Sequence, residues 1–371
     1  MLGLYVHVPF CSAICNYCNF NRGLFDADLK TRYVDALVQE IRAANREAAD
    51  TIYFGGGTPS LLDPAEVARI VAACEASFDV AADREVTLEA NPESVSIERL
   101  AAYTNAGVYR VSFGVQSFRD DELRRLSRLH DAGRARAALH EARAAGFGNV
   151  SLDLMMWLPA QRVDEWLESV DAAVALGPEH LSLYLLEVYP NAPLKDEMAR
   201  ARWSQAPDDD AATMYLTAME RLDAAGYEQY EISNVARPGC RSRHNLKYWT
   251  DVEWLGFGCG AHSTRAGIRW KNVSATADYI ARVEGGAGIA VDVRRLSAEE
   301  RLGDALFTGL RLTDGVNLDA VRARYGVNVW ERYGPSLEDF VRGGLLRTDG
   351  SRLSLTRQGM LLAHEVMAIF V

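Results

Sequence analysis

Near the start of the chain, Cys11-Ser12-Ala13-Ile14-Cys15-Asn16-Tyr17-Cys18 sets three thiols in a Cys-x3-Cys-x2-Cys spacing. Thiolates so spaced can wrap one corner of a cubane cluster, and a [4Fe–4S] cluster normally takes four cysteine ligands. Three ligands leave one iron open to a substrate or cofactor. A zinc site completed by His7 fits the same spacing, as do three cysteines with no shared partner. Met1–Phe10 has neither a basic stretch nor a long apolar core, so it does not read as a signal peptide. In a cytoplasmic chain, which this absence leads one to expect, clustered cysteines point to metal chemistry rather than disulfides.

Two further segments carry groups that suit a ligand. Phe54-Gly55-Gly56-Gly57-Thr58-Pro59 is a run lacking Cβ atoms, where a ligand can approach the backbone closely. Glu89 stands just before the Asn91-Pro92 turn, so its carboxylate either points into a strand-end mouth or lies on a surface loop.

These residues need elements to hold them. Short β-rich runs at Gly3–Val8, Thr51–Phe54, Glu85–Leu88, Tyr109–Phe113, Val150–Leu154 and Leu181–Leu185 alternate with helical patterns near 28–48, 63–79, 96–106, 120–145 and 164–176. Asp63, Pro64 and Glu66 mark one helix start as a capping box with proline at the first position. A further helix near 209–225 precedes Tyr227–Ile232, either a seventh strand or a path out of the sheet. Strand–helix repetition implies parallel strands with right-handed crossovers. Six units are fewer than the eight that close a TIM barrel, so the fold class expected is α/β, an open partial (β/α)6 TIM-like barrel, with a doubly wound sheet as the other reading. In both, chemistry belongs at the C-terminal strand ends, and the cysteines and the glycine run directly follow strands.

The chain has 371 residues, and 40 basic against 51 acidic side chains give a net charge of −11. That argues against nucleic acid or anionic membranes as partners, and no apolar run reaches the roughly 18 residues of a transmembrane segment. The expected division is a core at 1–235, a connecting segment without clean periodicity at 236–290, and a C-terminal domain at 291–371. The last part looks helical and ends in a hairpin turning at Asp349-Gly350, a winged-helix-like pattern. It carries as many acidic as basic residues, so a DNA-binding version is disfavoured.

With the cysteine motif and the glycine run in place, the sequence resembles the radical S-adenosylmethionine (radical SAM) superfamily. There, the open iron is chelated by SAM, and an electron from the cluster cleaves SAM to methionine and a 5′-deoxyadenosyl radical. The resemblance implies that Cys11, Cys15 and Cys18 ligate a [4Fe–4S] cluster. It implies SAM contacts from Gly56, Gly57, Thr58, Glu89, Gln116, Arg128 and Asp153, with Tyr5 and Tyr17 nearby. One stretch departs from the family, whose members carry a Tyr-Gly-Leu-Pro-Gly-like run after the Asp153 strand. Here it is Met155-Met156-Trp157-Leu158-Pro159-Ala160, which would reshape the pocket edge.

Tyr5–Cys11, the GGGTP run, the Gln116 segment, Trp254–Ser263 and Leu306–Arg311 are similar to the oxygen-independent coproporphyrinogen III oxidase family. Two activities share that scaffold: radical oxidative decarboxylation of porphyrinogen propionates, and heme carriage. Decarboxylases of the family carry a cysteine where this chain has Phe20, and a longer segment before the cluster. Both differences favour the heme chaperone subfamily, which also has a His-Asn-x-x-Tyr-Trp motif, here His244-Asn245-Leu246-Lys247-Tyr248-Trp249. The resemblance then implies heme as a further ligand, His244 as an imidazole for its iron, aromatic surface from Tyr248 and Trp249, and propionate partners in Arg241, Arg243 and Lys247. The implied partners are heme-accepting proteins and a reductant such as a flavodoxin or ferredoxin. Whether the chain turns over a substrate stays open on the sequence alone.

Overall fold

A computed structural model describes all 371 residues. The N-terminal run Leu2–Val8 (β1) is buried at every position but Tyr5, as expected of a parallel strand covered on both faces. It is followed by Ala48–Gly56 (β2), Asp79–Ala90 (β3), Arg110–Gln116 (β4), Asn149–Met156 (β5) and His180–Leu185 (β6), each parallel to its neighbour in chain order. Helices Ala27–Arg42 (α1), Pro64–Ser77 (α2), Ile97–Asn105 (α3), Asp120–Arg125 (α4), Ala132–Ala144 (α5) and Val163–Leu176 (α6) make the crossovers. The capping box of α2 forms with Asp63, Glu66 and Pro64 in the expected roles.

The single helix expected over 120–145 is two. Ser127 adopts φ 54°, which ends α4, and Asp131 caps α5 by accepting from the Arg134 amide at 2.7 Å. The break leaves Arg128 on a connecting corner instead of a solvated helix face.

The sheet runs past both ends of the six-stranded core. At one edge Asn234–Ala236 (β8) pairs antiparallel with β6, and Glu228–Glu231 (β7) lies outside it. The Tyr227–Ile232 run therefore leads out of the parallel set. At the other edge Trp254–Phe257 (β9) adds parallel to β1, followed by the antiparallel meander His262–Arg265 (β10), Ile268–Asn272 (β11) and Ala290–Arg295 (β12). The 12 strands form one sheet, so much of the 236–290 stretch extends the core sheet. After Pro193–Ala201 (α7) and Asp208–Ala224 (α8), the helix Arg243–Trp249 (α9) is too short to show a period. Ser242 caps it, accepting from the Asn245 amide at 3.3 Å.

Thr276–Glu284 (α10) precedes the C-terminal part, which holds Ala298–Gly309 (α11), Leu318–Tyr325 (α12) and Val329–Arg342 (α13) beside a small antiparallel sheet. Its hairpin joins Leu346–Thr348 to Arg352–Leu355, and Asp349 Oδ1 accepts the Ser351 and Arg352 amides at 3.0 and 2.8 Å. One hydrophobic core is continuous from Leu4 and Phe54 to Leu306 and Phe370, so the C-terminal part is packed against the barrel. No helix is long and apolar enough to cross a membrane.

Candidate functional site

The C-terminal ends of β2 to β6 surround a cavity of about 420 Å3. Cys11, Cys15 and Cys18 line it, as do Tyr17, Gly56, Gly57, Thr58, Glu89, Gln116, Arg128 and Asp153. Of the residues expected at the cluster and SAM, only Tyr5 lies elsewhere, and the residues expected at heme, His244, Arg241, Arg243, Lys247, Tyr248 and Trp249, do not line this cavity.

The cysteine loop is held from several sides. Phe10–Cys11 pairs with Gly23–Leu24. Asn16 Nδ2 donates to Arg125 O at 2.8 Å and to Glu197 Oε2 at 2.6 Å, and Arg22 donates to the Cys18 carbonyl. Thr58 Oγ1 donates to Cys11 Sγ at 3.7 Å, and Arg128 Nη1 to Cys15 Sγ at 3.4 Å. All three thiols are free. Burial raises the pKa of Cys11 while the Thr58 hydrogen bond opposes that shift.

The sulfurs line the cavity without converging, with other acidic, histidine or cysteine groups, into a closed metal site. His7, the candidate fourth zinc ligand, is committed elsewhere. Its Nε2 donates to Asn21 O at 2.8 Å and its Nδ1 shares a 3.1 Å hydrogen bond with Tyr5 Oη. Three cysteines and an adjoining polar cavity suit a cluster with one open iron better than a four-ligand zinc site.

The glycine run has a packing reason. A Cβ on Gly56, which has φ 114°, would sit 2.5 Å from His7; one on Gly57 would sit 2.7 Å from Phe10 O. The Gly57 and Thr58 amides donate to Val8 O and Phe10 O, both at 2.8 Å, and the Gly56 amide donates to Glu89 Oε2 at 3.3 Å. With these donors used internally, the segment offers a ligand carbonyl oxygens, which suit a donor such as an amino group.

Beside it, Glu89 also accepts from Tyr53 Oη at 2.7 Å, and burial pushes its carboxyl up to about 7. Asp153 accepts from Ser112 Oγ at 3.3 Å and is also raised by burial. Arg128 donates to Asn91 Oδ1 and Gly114 O, both at 2.7 Å, while its Nε has no partner. Gln116, held at φ 70°, leaves its buried Oε1 unpaired. Two orphaned polar atoms and two carboxylates around one cavity are what a zwitterionic ligand with hydroxyl groups requires. Tyr53, Asn91 and Tyr184 also belong to this site, though sequence reasoning gave them no role. Asn91 was the most legible, two residues after Glu89.

The departing stretch has a backbone consequence. Trp157 and Ala160 adopt φ 63° and 56°, the left-handed region that favours glycine. The 204–206 segment holds them: Trp157 Nε1 donates to Ala206 O at 2.7 Å and the Ala160 amide to Ser204 O at 2.8 Å.

Tyr5 packs beside the site, with its ring stacked on Tyr53 at 6.3 Å. His244 lies deeper, near the N-terminal ends of β1 and β2, and is 1% exposed. Its Nδ1 shares a 2.8 Å hydrogen bond with Thr51 and its Nε2 a 2.9 Å one with Tyr248 Oη. Burial pushes its pKa down to about 3. The expectation that this imidazole faces an iron is corrected by the structure: both nitrogens are spent, and Tyr53 stacks on the ring at 5.0 Å. The basic neighbours are spent too, Lys247 on Asp50 at 2.6 Å and Arg243 on Asp50 and Asp83.

A family profile described as the Radical SAM superfamily matches residues 5–173, and one described as the HemN C-terminal domain matches 296–362. The chain is 36% identical to the heme chaperone HemW of Bacillus subtilis (strain 168), covering 100% of this chain and 99% of that protein. It is 39% identical to the heme chaperone HemW of Mycobacterium tuberculosis (strain ATCC 25618 / H37Rv), covering 98% and 93%. Among solved structures, the coproporphyrinogen III oxidase HemN of Escherichia coli superposes with a TM-score of 0.87 at 22% identity, over 100% of this chain and 89% of that one. The last likeness speaks to fold alone.

Proposed function

From the premise that this chain belongs to the heme chaperone HemW family of radical SAM proteins, we propose that it binds heme and passes it to heme-accepting proteins. The observation that carries this reading is identity of 36% from end to end with a heme chaperone of matching length. Phe20 supports it: a bulky apolar side chain, 64% exposed, lines the cavity where the decarboxylases resembled above carry a cysteine.

In this reading Cys11, Cys15 and Cys18 hold a [4Fe–4S] cluster, and the rest of the cavity holds SAM. Held by these cysteines, the cluster would supply one-electron reducing chemistry toward the SAM sulfonium, with a reductant such as a flavodoxin or ferredoxin as the electron source. The residues do the positioning. Arg128, fixed by Asn91 and the Gly114 carbonyl, sets a positive charge beside the thiols for a carboxylate. Carbonyls of the glycine run and Glu89 take an amino group, and Asp153 and Gln116 meet hydroxyl or ring donors.

The test pairs two measurements on the anaerobically reconstituted protein. Heme-loaded protein mixed with an apo-acceptor should lose its Soret absorption to the acceptor. Incubation with coproporphyrinogen III, SAM and a reductant should leave the propionates intact. Stoichiometric loss of carboxylates, with no heme transfer, would replace this reading by the decarboxylase one.

A further inference from the structure

A second cavity, about 500 Å3 in volume, lies between the end of α9, the β9–β10 hairpin and α11. Its size suits a small-molecule ligand. Tyr248 and Trp254 wall it with their rings edge-on at 4.9 Å, and Phe307 of α11 is a further apolar face, 37% exposed. Flat apolar surface of this kind accepts a planar ring system.

Besides the buried indole nitrogen of Trp249, two polar groups in this cavity are free. His262 lies on β10, and neither of its ring nitrogens makes a hydrogen bond, whereas His7, His130, His180 and His244 use both of theirs. Partial desolvation by the cavity wall and the charges of Lys271 and Arg269 lower its pKa, which favours the neutral imidazole, the form that ligates metal. Arg301 of α11 has no carboxylate partner. Its neighbours differ: Arg269 is paired with Asp304 at 2.8 Å and Arg324 with Asp251 at 3.1 Å. The remaining acid in the wall, Glu253, is held by Arg265 and the Ala266 amide.

We infer that this second cavity is the seat of the heme, with His262 meeting the iron, Tyr248, Trp254 and Phe307 against the porphyrin, and Arg301 pairing a propionate. The inference rests on the heme-carrying reading above. It gives the His244–Trp249 motif a different division of labour. His244 is a positioning residue: its Nε2 bond fixes Tyr248, one helical turn on, as a wall of the cavity.

The experiment titrates ferric heme into cluster-loaded wild type, His262→Ala and His244→Ala, recording Soret difference spectra and iron electron paramagnetic resonance. Metal-free protoporphyrin IX is the parallel probe, since it needs the walls but no ligand. For His262→Ala, heme affinity should fall roughly tenfold or more, the histidine-ligated signature should vanish, and added imidazole should restore it. Protoporphyrin binding should change far less. His244→Ala should keep the wild-type Soret position and weaken heme and protoporphyrin alike. A wild-type spectrum and affinity in His262→Ala overturns the site while leaving heme carriage standing. Wild type that takes up no heme overturns the carriage reading and the site with it.

Discussion

Replacing Gly57 by alanine tests the closest approach in the first cavity. A Cβ there would sit 2.7 Å from Phe10 O, 2.9 Å from Val8 O and 3.1 Å from Cys11 Sγ. Both oxygens belong to backbone that is already bonded, Phe10 O by the Thr58 amide and Val8 O by the Gly57 amide. Unlike side-chain ends, they cannot swing aside. Carbon and oxygen need about 3.3 Å, so the two segments must part by roughly half an ångström, taking Cys11 with them. Overpacking of this kind costs about 1–3 kcal/mol, which lowers a thermal midpoint by a few degrees. Gly114→Ala is the control on the same cavity. Its Cβ would meet Gln116 Nε2 at 3.1 Å, Asn91 Oδ1 at 3.4 Å and Arg128 Nη2 at 3.5 Å, all side-chain ends able to give. Circular dichroism melts and iron content after anaerobic reconstitution should both fall for Gly57→Ala, and both hold for Gly114→Ala. A wild-type midpoint with full iron uptake in Gly57→Ala would refute the claim that the glycine run exists to let the cysteine strand approach.

Three further outcomes are expected. Cys15→Ala should abolish the broad iron–sulfur absorption after reconstitution, since it removes one of only three thiols at the cavity; an unchanged spectrum contradicts the ligand set. The raised pKa of Glu89 means that the folded chain holds this proton more tightly than the unfolded one does. Its contribution to stability is therefore present below about pH 4.5 and is lost as pH rises toward 7. Glu89→Gln should flatten that loss, so that urea midpoints of variant and wild type diverge in the variant's favour between those pH values; parallel curves count against it. Ala160→Gly should raise stability by about 0.5–1 kcal/mol. It relieves a left-handed residue at exposed φ 56°, against the smaller entropy cost of a glycine, and a lower urea midpoint would show that the 204–206 tether sets that conformation instead.

The parallel core was legible because its strands are short, apolar and separated by helices with readable caps. Local signals decide those features, and the Asp63–Glu66 box is an example. The break at Ser127 was not legible. Nothing in Arg124-Arg125-Leu126-Ser127-Arg128 forbids helix, and what ends it is the tertiary demand that Arg128 reach Cys15 and Asn91. The β9–β12 extension escaped for a related reason. Trp254–Phe257 is four residues with a glycine, and it becomes a strand because β1 offers it an open edge. The first cavity was legible through spacing, since cysteines, glycines and a strand-end carboxylate mark themselves. His244 misled because composition shows an imidazole among arginines but not the burial that closes Thr51 and Tyr248 around it. The free histidine, His262, sits among neighbours with no pattern of their own, and only the docking of α11 makes a cavity of the place.

A run of side-chain contacts links the two cavities. Glu89, in the first, accepts from Tyr53; the Tyr53 ring stacks on His244; His244 bonds Tyr248; and Tyr248 walls the second. Each step is a direct contact between buried or half-buried groups in a medium where a change of charge is weakly screened. A change of charge at Glu89 therefore meets a neutral, doubly bonded imidazole one ring away. Tyr248, fixed by its bond to His244, is the end of that chain at the second cavity. Two links of that path, His244 and Tyr248, come from the His-Asn-x-x-Tyr-Trp motif, so the motif lies between the two cavities rather than within the first.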